Sequence, residues 1–282
     1  MKTSELNLLK KEAIQIRKDV LNMVYTFKDG HIGSALSAVE ILLILYAKIL
    51  NMSAKKLKDK ERDRFILSKG HGCTSLYSVL ARRGFFPLEE LGSYCTSKSV
   101  LCGHPSHKKT PGVEVSTGSL GHGFPMGVGF ALSAKLEQSP RKIFCLVGDG
   151  ECNEGSIWEA AAIGAHFELD NLIAIIDYNK MQSSGKAIEV QRPQDLGQKW
   201  TAFGWKTIEI NGHDLTEIYK SLARIPLKKG KPTAVLAHTI KAKGIPFMER
   251  NMKYDNKWHT GIPSAEEYQK ALAELAVQEK RL

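Results

Sequence analysis

The sequence has few cysteines, and their arrangement is informative. Cysteine occurs five times in 282 residues, an odd number without any Cys-x-x-Cys pair. The five positions lie mostly among apolar residues or glycines: Cys73, Cys95, Cys102, Cys145 and Cys152. This usage favours a protein of the reducing cytoplasm.

Long hydrophobic runs are also absent. The most apolar stretch, AVEILLILYAKIL at residues 38–50, is too short to span a bilayer and is followed by charged residues. The N-terminus lacks the apolar core of a signal peptide, and the chain contains no internal repeat or low-complexity tract. We therefore expect no membrane association and a cytoplasmic location.

The chain carries more basic than acidic residues, with a formal net charge of +10 and a pI near 9.3. Such a balance is compatible with nucleic acid or with an anionic, phosphorylated substrate. The lysines, however, occur in short groups interleaved with acids, as in KKLKDKER at residues 55–62. No basic stretch is interleaved with aromatic residues, so we expect a solvated basic surface and no nucleic-acid partner.

Five short apolar runs alternate with helical patterns: RFILS, KIFCLV, NLIAIIDY, WKTIEI and PTAVLA. This alternation predicts an α/β fold whose parallel sheet is covered by helices on both faces. A helical arm at about residues 1–50 precedes the sheet, and a last helix begins near Ser264. The irregular stretch 96–123, rich in Gly, His, Pro, Ser and Thr, is typical of a functional loop.

A carboxylate between two glycines follows the second apolar run, in LVGDGECNEG at residues 146–155. Ligands of parallel sheets bind beyond the carboxyl ends of the strands, so Asp149 should face a site. The next predicted strand leads to Asn179, 30 residues later. A carboxylate and a carboxamide oxygen suit Mg²⁺, and glycines allow close approach of a diphosphate. A dinucleotide fingerprint would need different spacing.

These motifs resemble those of transketolases. A GDG followed by this Asn resembles the thiamine diphosphate fingerprint, and GDGECNEGSIWEA with LDNLIAIIDYN is similar to transketolase in particular. Five further stretches match transketolase motifs in the same order: GHIGSALSAVEIL, DRFILSKGHG, GHP, STGSLGHG and WHTG. The resemblance extends from about residue 10 to 265.

The resemblance implies a metal site and a set of cofactor contacts. The ligands of Mg²⁺, or of Ca²⁺ or Mn²⁺, would be Asp149, Asn179 and the backbone carbonyl of Met181. Residues implied to contact thiamine diphosphate are Ser34, Lys69, His71, Gly118, Ser119, Leu120, His122, Gly150, Glu151, Asn179, Lys241 and His259. Many relatives carry Gln at the position of His122.

The resemblance also implies catalytic histidines that line the substrate channel: His31, His71, His104 and His259. Ketose cleavage moves protons to and from hydroxyls near neutral pH, where histidine can donate or accept them. The remaining histidines are expected to be structural: His107, His166, His213 and His238.

Residues 1–262 resemble the diphosphate-binding (PP) domain of transketolases, with residues 263–282 as a C-terminal helix or tail. The glutamate that activates the cofactor belongs to a domain that has no counterpart here. The resemblance therefore implies an N-terminal subunit, inactive alone, that joins a separate C-terminal transketolase subunit in an α2β2 complex. Together they would reversibly transfer a two-carbon ketol unit between sugar phosphates, as in the pentose phosphate pathway.

Other interpretations stay open. Deoxyxylulose-phosphate synthases and the α subunits of oxo-acid dehydrogenases also carry the GDG and Asn motif. SKGHG, GHP and STGSLGHG favour transketolase over both. A non-catalytic thiamine diphosphate-binding subunit is a further alternative, against which the complete set of metal ligands and histidines argues.

Overall fold

The computed structural model describes residues 1–183, 185–190, 195–251 and 256–282. Five strands form the main sheet: β1 Arg64–Leu67, β2 Ile143–Gly148, β3 Leu172–Tyr178, β6 Lys206–Asn211 and β7 Thr233–His238. Two short strands, β4 Met181–Gln182 and β5 Gly185–Lys186, pair antiparallel beside it. All five predicted strands are confirmed.

The main sheet is parallel throughout, in the order β1-β2-β3-β7-β6. The register places Gly148 of β2 opposite Asp177 of β3, and Tyr178 of β3 opposite His238 of β7. The carboxyl ends of β1, β2, β3 and β7 therefore lie side by side along one edge of the sheet.

The α-helices run as α1 Thr3–Phe27, α2 Ile32–Ser37, α3 Val39–Ile44, α4 Cys73–Arg82, α5 Gly123–Leu136, α6 Gly155–His166, α7 Ala187–Val190, α8 Leu196–Ala202, α9 Leu215–Leu222, α10 Pro246–Asn251 and α11 Ala265–Lys280. Short helical turns occur at Leu45–Ile49, Ala54–Lys56, Gly70–Gly72, Leu88–Ser93, Glu151–Asn153 and Lys257–His259. Among the helices that the structure describes, none has the length and apolarity needed to cross a bilayer.

Alternate residues of the strands face two separate apolar clusters. In β1, Phe65 and Leu67 pack with α1 to α4 and α9, whereas Ile66 packs with α5, α6 and α8. The same alternation holds in β2, where Phe144 and Cys145 belong to opposite clusters. The sheet is thus covered on both faces, as predicted.

The helical arm differs from its predicted bounds. The apolar pattern predicts a helix from about Ser37 to Leu50, but α2 begins at Ile32, directly after the GH of the first histidine motif. The helical path bends at Ala38 and continues through α3 into a wider turn at Leu45–Ile49. All residues of α2 and α3 are buried, so no amphipathic pattern marks their ends.

A buried charged cluster fastens this arm to the sheet. Arg17 of α1 donates to Glu40 of α3 at 2.6 Å, and the other oxygen of Glu40 lies 3.1 Å from His213 Nδ1. His213 Nε2 accepts from the backbone N–H of Ile240 at 2.8 Å, so Nδ1 carries the proton donated to Glu40. Burial raises the pKa of Glu40, but Arg17 and His213 outweigh it and lower the value to about 2.

We expect Glu40→Gln to lower the free energy of unfolding at pH 7 by about 3–5 kcal/mol, because it leaves a buried guanidinium without its counterion. The pKa of Glu40 is depressed, so its stabilisation exists above the ordinary value of 4.5 and is lost as the pH falls through about 2. The difference between the two proteins should shrink over that interval, as measured by denaturant unfolding.

The matched control is Lys18→Met, which breaks the partly exposed pair between Lys18 and Glu279. This change should cost about 1 kcal/mol or less. Equal losses in both variants would contradict a special role of the buried cluster.

Candidate active site

Polar residues follow four neighbouring strands of the sheet. Lys69 comes after β1, Asp149 after β2, Asn179 after β3 and Thr239 after β7. Each strand interior is apolar, so the change to polar residues falls at the same edge in every strand. This edge is the floor of a cleft of about 330 Å³.

Asp149 is buried, and backbone groups supply its hydrogen bonds. Its Oδ1 accepts from Gly150 N–H at 2.8 Å, and its Oδ2 accepts from Lys180 N–H. Burial, followed by repulsion from Asp177, raises the pKa of Asp149 to about 7. In the described part of the chain, no basic side chain forms an ion pair with it. A carboxylate so placed lacks a cation.

Asn179 and Met181 lie beside this carboxylate, because Lys180, which donates to Asp149, stands between them. Asn179 Oδ1 accepts from the backbone N–H of Met181 at 3.0 Å. The described residues contain no cluster of three or more His, Cys, Asp or Glu side chains suited to a metal. A metal here would depend on one carboxylate, one amide oxygen and backbone oxygen, a hard oxygen set that fits Mg²⁺.

Lys69 and Ser34 connect this end of the cleft with its histidines. Lys69 is 1% exposed, and its ammonium donates to the Ser34 carbonyl at 3.0 Å and to the Asp177 carboxylate. Ser34 Oγ lies 2.8 Å from His71 Nε2. Lys69 lines the cleft as predicted, but its charge is already paired with Asp177.

Glu151, predicted to contact the cofactor, makes three internal hydrogen bonds. It accepts from Ser68 Oγ at 2.6 Å, from Gly121 N–H at 2.9 Å and from Gly148 N–H at 3.0 Å. Through these bonds it ties the loop before α5 to the ends of β1 and β2. Although Glu151 lines the cleft, its carboxylate acts first in positioning that loop.

The predicted channel histidines lie together at the other end of the cleft. The ring centroid of His31 is 5.2 Å from that of His71, 6.1 Å from His104 and 5.3 Å from His259. His31 Nδ1 is buried and finds no hydrogen-bond partner within the described residues. A buried polar atom of this kind, facing a cleft, is suited to a ligand hydroxyl.

These imidazoles are held neutral. Burial lowers the pKa of His31, and it lowers that of His71 well below the ordinary value, with Lys69 adding to the effect. Burial and the charge of Lys241 lower the pKa of His259 to about 3. At pH 7 each of these rings can both donate and accept a hydrogen bond.

Lys241 sets the tautomer of His259. Its Nζ lies 2.7 Å from His259 Nδ1, and since an ammonium can only donate, Nδ1 must accept and Nε2 must carry the proton. Burial and the charge of Lys69 lower the pKa of Lys241 to about 8, so at pH 7 the ammonium form predominates. Both residues line the cleft as predicted.

The loop before α5 contributes backbone to the cleft. Gly118 has φ +154°, and a Cβ there would lie 3.1 Å from the His104 ring. Glycine therefore lets the loop approach this ring closely. Gly118 and Leu120 line the cleft, whereas Ser119 and His122 do not. His122 is exposed, with Nδ1 3.0 Å from the Leu120 carbonyl, so the predicted contacts of these two residues remain predictions.

The structure also brings in residues that the sequence patterns did not indicate. Asp177 lies under the cleft as the partner of Lys69, and the signal for it is a carboxylate inside the buried run LIAIIDY. Four further side chains line the cleft: Asn153, Glu154, Gln182 and Ser183. They follow the GDG and Asn motifs in the chain, but no chemical pattern distinguishes them from ordinary loop residues.

Comparison with known proteins agrees with this geometry. The family model for "Transketolase, thiamine diphosphate binding domain" matches residues 9–275. One of the two subunits of an apulose-4-phosphate transketolase, from Phocaeicola vulgatus, is 40% identical, with 99% of this chain and 97% of that protein aligned. A 6-deoxy-6-sulfo-D-fructose transketolase subunit of a Clostridium species is 39% identical over 92% of this chain and 96% of that protein.

The solved structure of transketolase from Campylobacter jejuni superposes with a TM-score of 0.87 at 31% identity, covering 98% of this chain and 43% of that one. This chain therefore spans less than half of that protein, whereas it aligns with nearly the whole of the Phocaeicola and Clostridium subunits. The family model and the full-length similarity show that the chain belongs to the transketolase family and forms its N-terminal, thiamine diphosphate-binding part.

Proposed function

We propose that this chain is the cofactor-anchoring subunit of a heteromeric transketolase that reversibly moves a two-carbon ketol unit from a ketose to an aldose. The observation that carries the proposal is the cleft itself, which joins an uncompensated carboxylate to a group of neutral histidines. The first suits a metal and a diphosphate, and the second suits the hydroxyls of a sugar. Residues 1–262 would form the diphosphate-binding domain.

Asp149, Asn179 and the Met181 carbonyl would hold Mg²⁺, with Ca²⁺ or Mn²⁺ as substitutes. Gly150 exposes backbone beside Asp149, where a diphosphate can approach. When bound, thiamine diphosphate supplies the electron sink that carbon–carbon bond cleavage and formation require. The protein supplies anchoring, orientation and proton transfer.

The histidines would hold and move protons at the sugar. His259 presents Nε2–H as a donor because Lys241 occupies Nδ1. His31 offers its free Nδ1, and its neutral ring can accept a proton from a hydroxyl and return it. Neutral rings also avoid the cost of burying charge when the cleft is closed.

A separate C-terminal subunit would complete the site. The resemblance to transketolases includes a glutamate that activates the cofactor, and it lies in a part of those proteins beyond the 43% that this chain covers in the Campylobacter structure. We propose an α2β2 complex in the cytoplasm, in which this chain alone is inactive. A role in pentose phosphate metabolism is one setting for such a complex.

The relatives suggest the class of substrate. One is named for apulose-4-phosphate and another for 6-deoxy-6-sulfo-D-fructose, and each sugar carries an anionic group, a phosphate or a sulfonate. We propose a ketose with such an anionic group as the donor. The recognition of that group would fall largely to the partner subunit.

The test is co-expression with a candidate C-terminal transketolase subunit, followed by assays of ketol transfer with thiamine diphosphate and Mg²⁺. The donors should include a ketose phosphate and a sulfonated ketose. We expect transfer by the complex and none by either component in isolation. A complex that binds cofactor but transfers from no ketose would contradict the transketolase assignment, and turnover by the isolated chain would contradict the split site.

A further inference from the structure

Asp177 is a fully buried carboxylate that does not line the cleft but lies directly beneath it. Its Oδ2 accepts from Ser37 Oγ at 2.6 Å, from Asn179 Nδ2 at 3.2 Å and from the Lys69 ammonium. Its Oδ1 accepts from Thr239 Oγ1. With every donor in place, Asp177 has neither the exposure nor the free oxygen needed to bind a ligand itself.

One of these contacts reaches the proposed metal site. The amide of Asn179 is held at both ends, since Nδ2 donates to Asp177 and Oδ1 accepts from Met181 N–H at 3.0 Å. A flipped amide would set its oxygen against the Asp177 carboxylate and its NH₂ against the Met181 N–H. Both contacts would then be repulsive, so the observed orientation is the one that these neighbours allow.

We propose that Asp177 is a positioning residue that fixes the amide of Asn179 with its oxygen on the metal side. This inference rests on the proposed function, because it assumes that Asn179 Oδ1 binds the metal. Partners that orient a metal ligand in this way commonly affect metal affinity by about 10- to 100-fold. Asp177 acts through Asn179 and does not contact the metal.

Lys69 makes this arrangement stable in a buried position. Asp177 and Lys69 are 0% and 1% exposed at their side chains, and their charges cancel. Asp177 can therefore serve as an acceptor for Asn179 without adding a net charge beside Asp149. Any experiment on Asp177 must remove both charges together, since either alone would remain buried and unpaired.

The experiment compares two double variants of the complex, Lys69→Met/Asp177→Asn and Lys69→Met/Asp177→Leu. Both remove the same two charges, but only the first keeps an oxygen that can accept from Asn179 Nδ2. Mn²⁺ is titrated into each complex in the presence of thiamine diphosphate, and free Mn²⁺ is read by electron paramagnetic resonance. Thermal unfolding shows whether each variant is folded.

We expect the Leu variant to bind Mn²⁺ at least about 10-fold more weakly than the Asn variant. Adding Asn179→Ala to both should reduce that difference to within about twofold, because the residue through which Asp177 acts is then gone. Equal Mn²⁺ affinities of the two variants, or a difference that survives Asn179→Ala, would overturn the positioning role.

Folding failures are also decisive. If the Leu variant does not unfold cooperatively, Lys69→Met/Asp177→Ala takes its place, and if that variant also fails, Asp177 is structural and the inference is overturned. The readout is independent of turnover: wild-type Mn²⁺ binding without ketol transfer would contradict only the proposed reaction. A wild-type complex that binds no Mn²⁺ would contradict the proposed metal site, and the positioning role with it.

Discussion

Replacing Asp149 with alanine should abolish metal-dependent retention of thiamine diphosphate by the complex. Asp149 is the carboxylate of the proposed metal site, and backbone N–H groups are its other partners. Loss of a residue that merely orients a ligand costs about 10- to 100-fold in metal affinity, so loss of the anionic ligand itself should cost at least about 100-fold. Equilibrium dialysis against Mg²⁺ and cofactor measures the loss.

The control for this variant is Asp214→Ala, another Asp-to-Ala change in the same chain. Asp214 accepts from Thr216 N–H and Glu217 N–H at the start of α9 and does not line the cleft. Its loss should cost about 1 kcal/mol of stability through the helix cap and leave cofactor retention unchanged. Full retention by the Asp149 variant would show that the metal is bound elsewhere.

Replacing His31 with alanine should lower kcat/KM for ketol transfer by about 100- to 10,000-fold, the range that general acid–base groups contribute. His31 lies at the centre of the histidine group, within 6.1 Å, centroid to centroid, of His71, His104 and His259. It also presents the buried Nδ1 that has no partner in the described residues. Steady-state kinetics of the complex measure the loss.

Two further measurements separate this effect from general damage. Cofactor retention by the His31 variant should stay at the wild-type level, because the metal and diphosphate end of the cleft is untouched. His107→Ala should leave kcat/KM within about twofold of wild type, since His107 is exposed and contacts Ser116 away from the cleft. If the His31 variant kept full activity, the histidine group would not carry proton transfer.

Much of the fold could be predicted because the strands are short, apolar and separated by helical patterns. The site could be predicted for a related reason: parallel strands end at one edge, so Asp149 and Asn179 had to meet there. The register, with Gly148 opposite Asp177, confirms that the two strand ends are adjacent. The histidines come from four different loops, and only the resemblance to transketolases grouped them in advance.

The internal partners of the site could not be predicted, because they depend on which side chain meets which in three dimensions. Lys69 stands in SKGHG as an ordinary loop lysine would, yet its ammonium reaches Asp177, 108 residues away. Glu151 follows GDG in the chain and resembles a ligand, whereas its oxygens accept from Ser68, Gly121 and Gly148. Sequence spacing indicates where a residue lies but not which neighbour it satisfies.

The buried pair of Lys69 and Asp177 has a consequence for how this chain can change over evolutionary time. Losing one member of such a pair typically costs about 3–5 kcal/mol, whereas losing both to apolar residues is close to neutral. Each position is therefore closed to drift by itself, and a lineage can leave this arrangement only through a paired change or through a prior gain in stability. The two residues should be inherited as a unit.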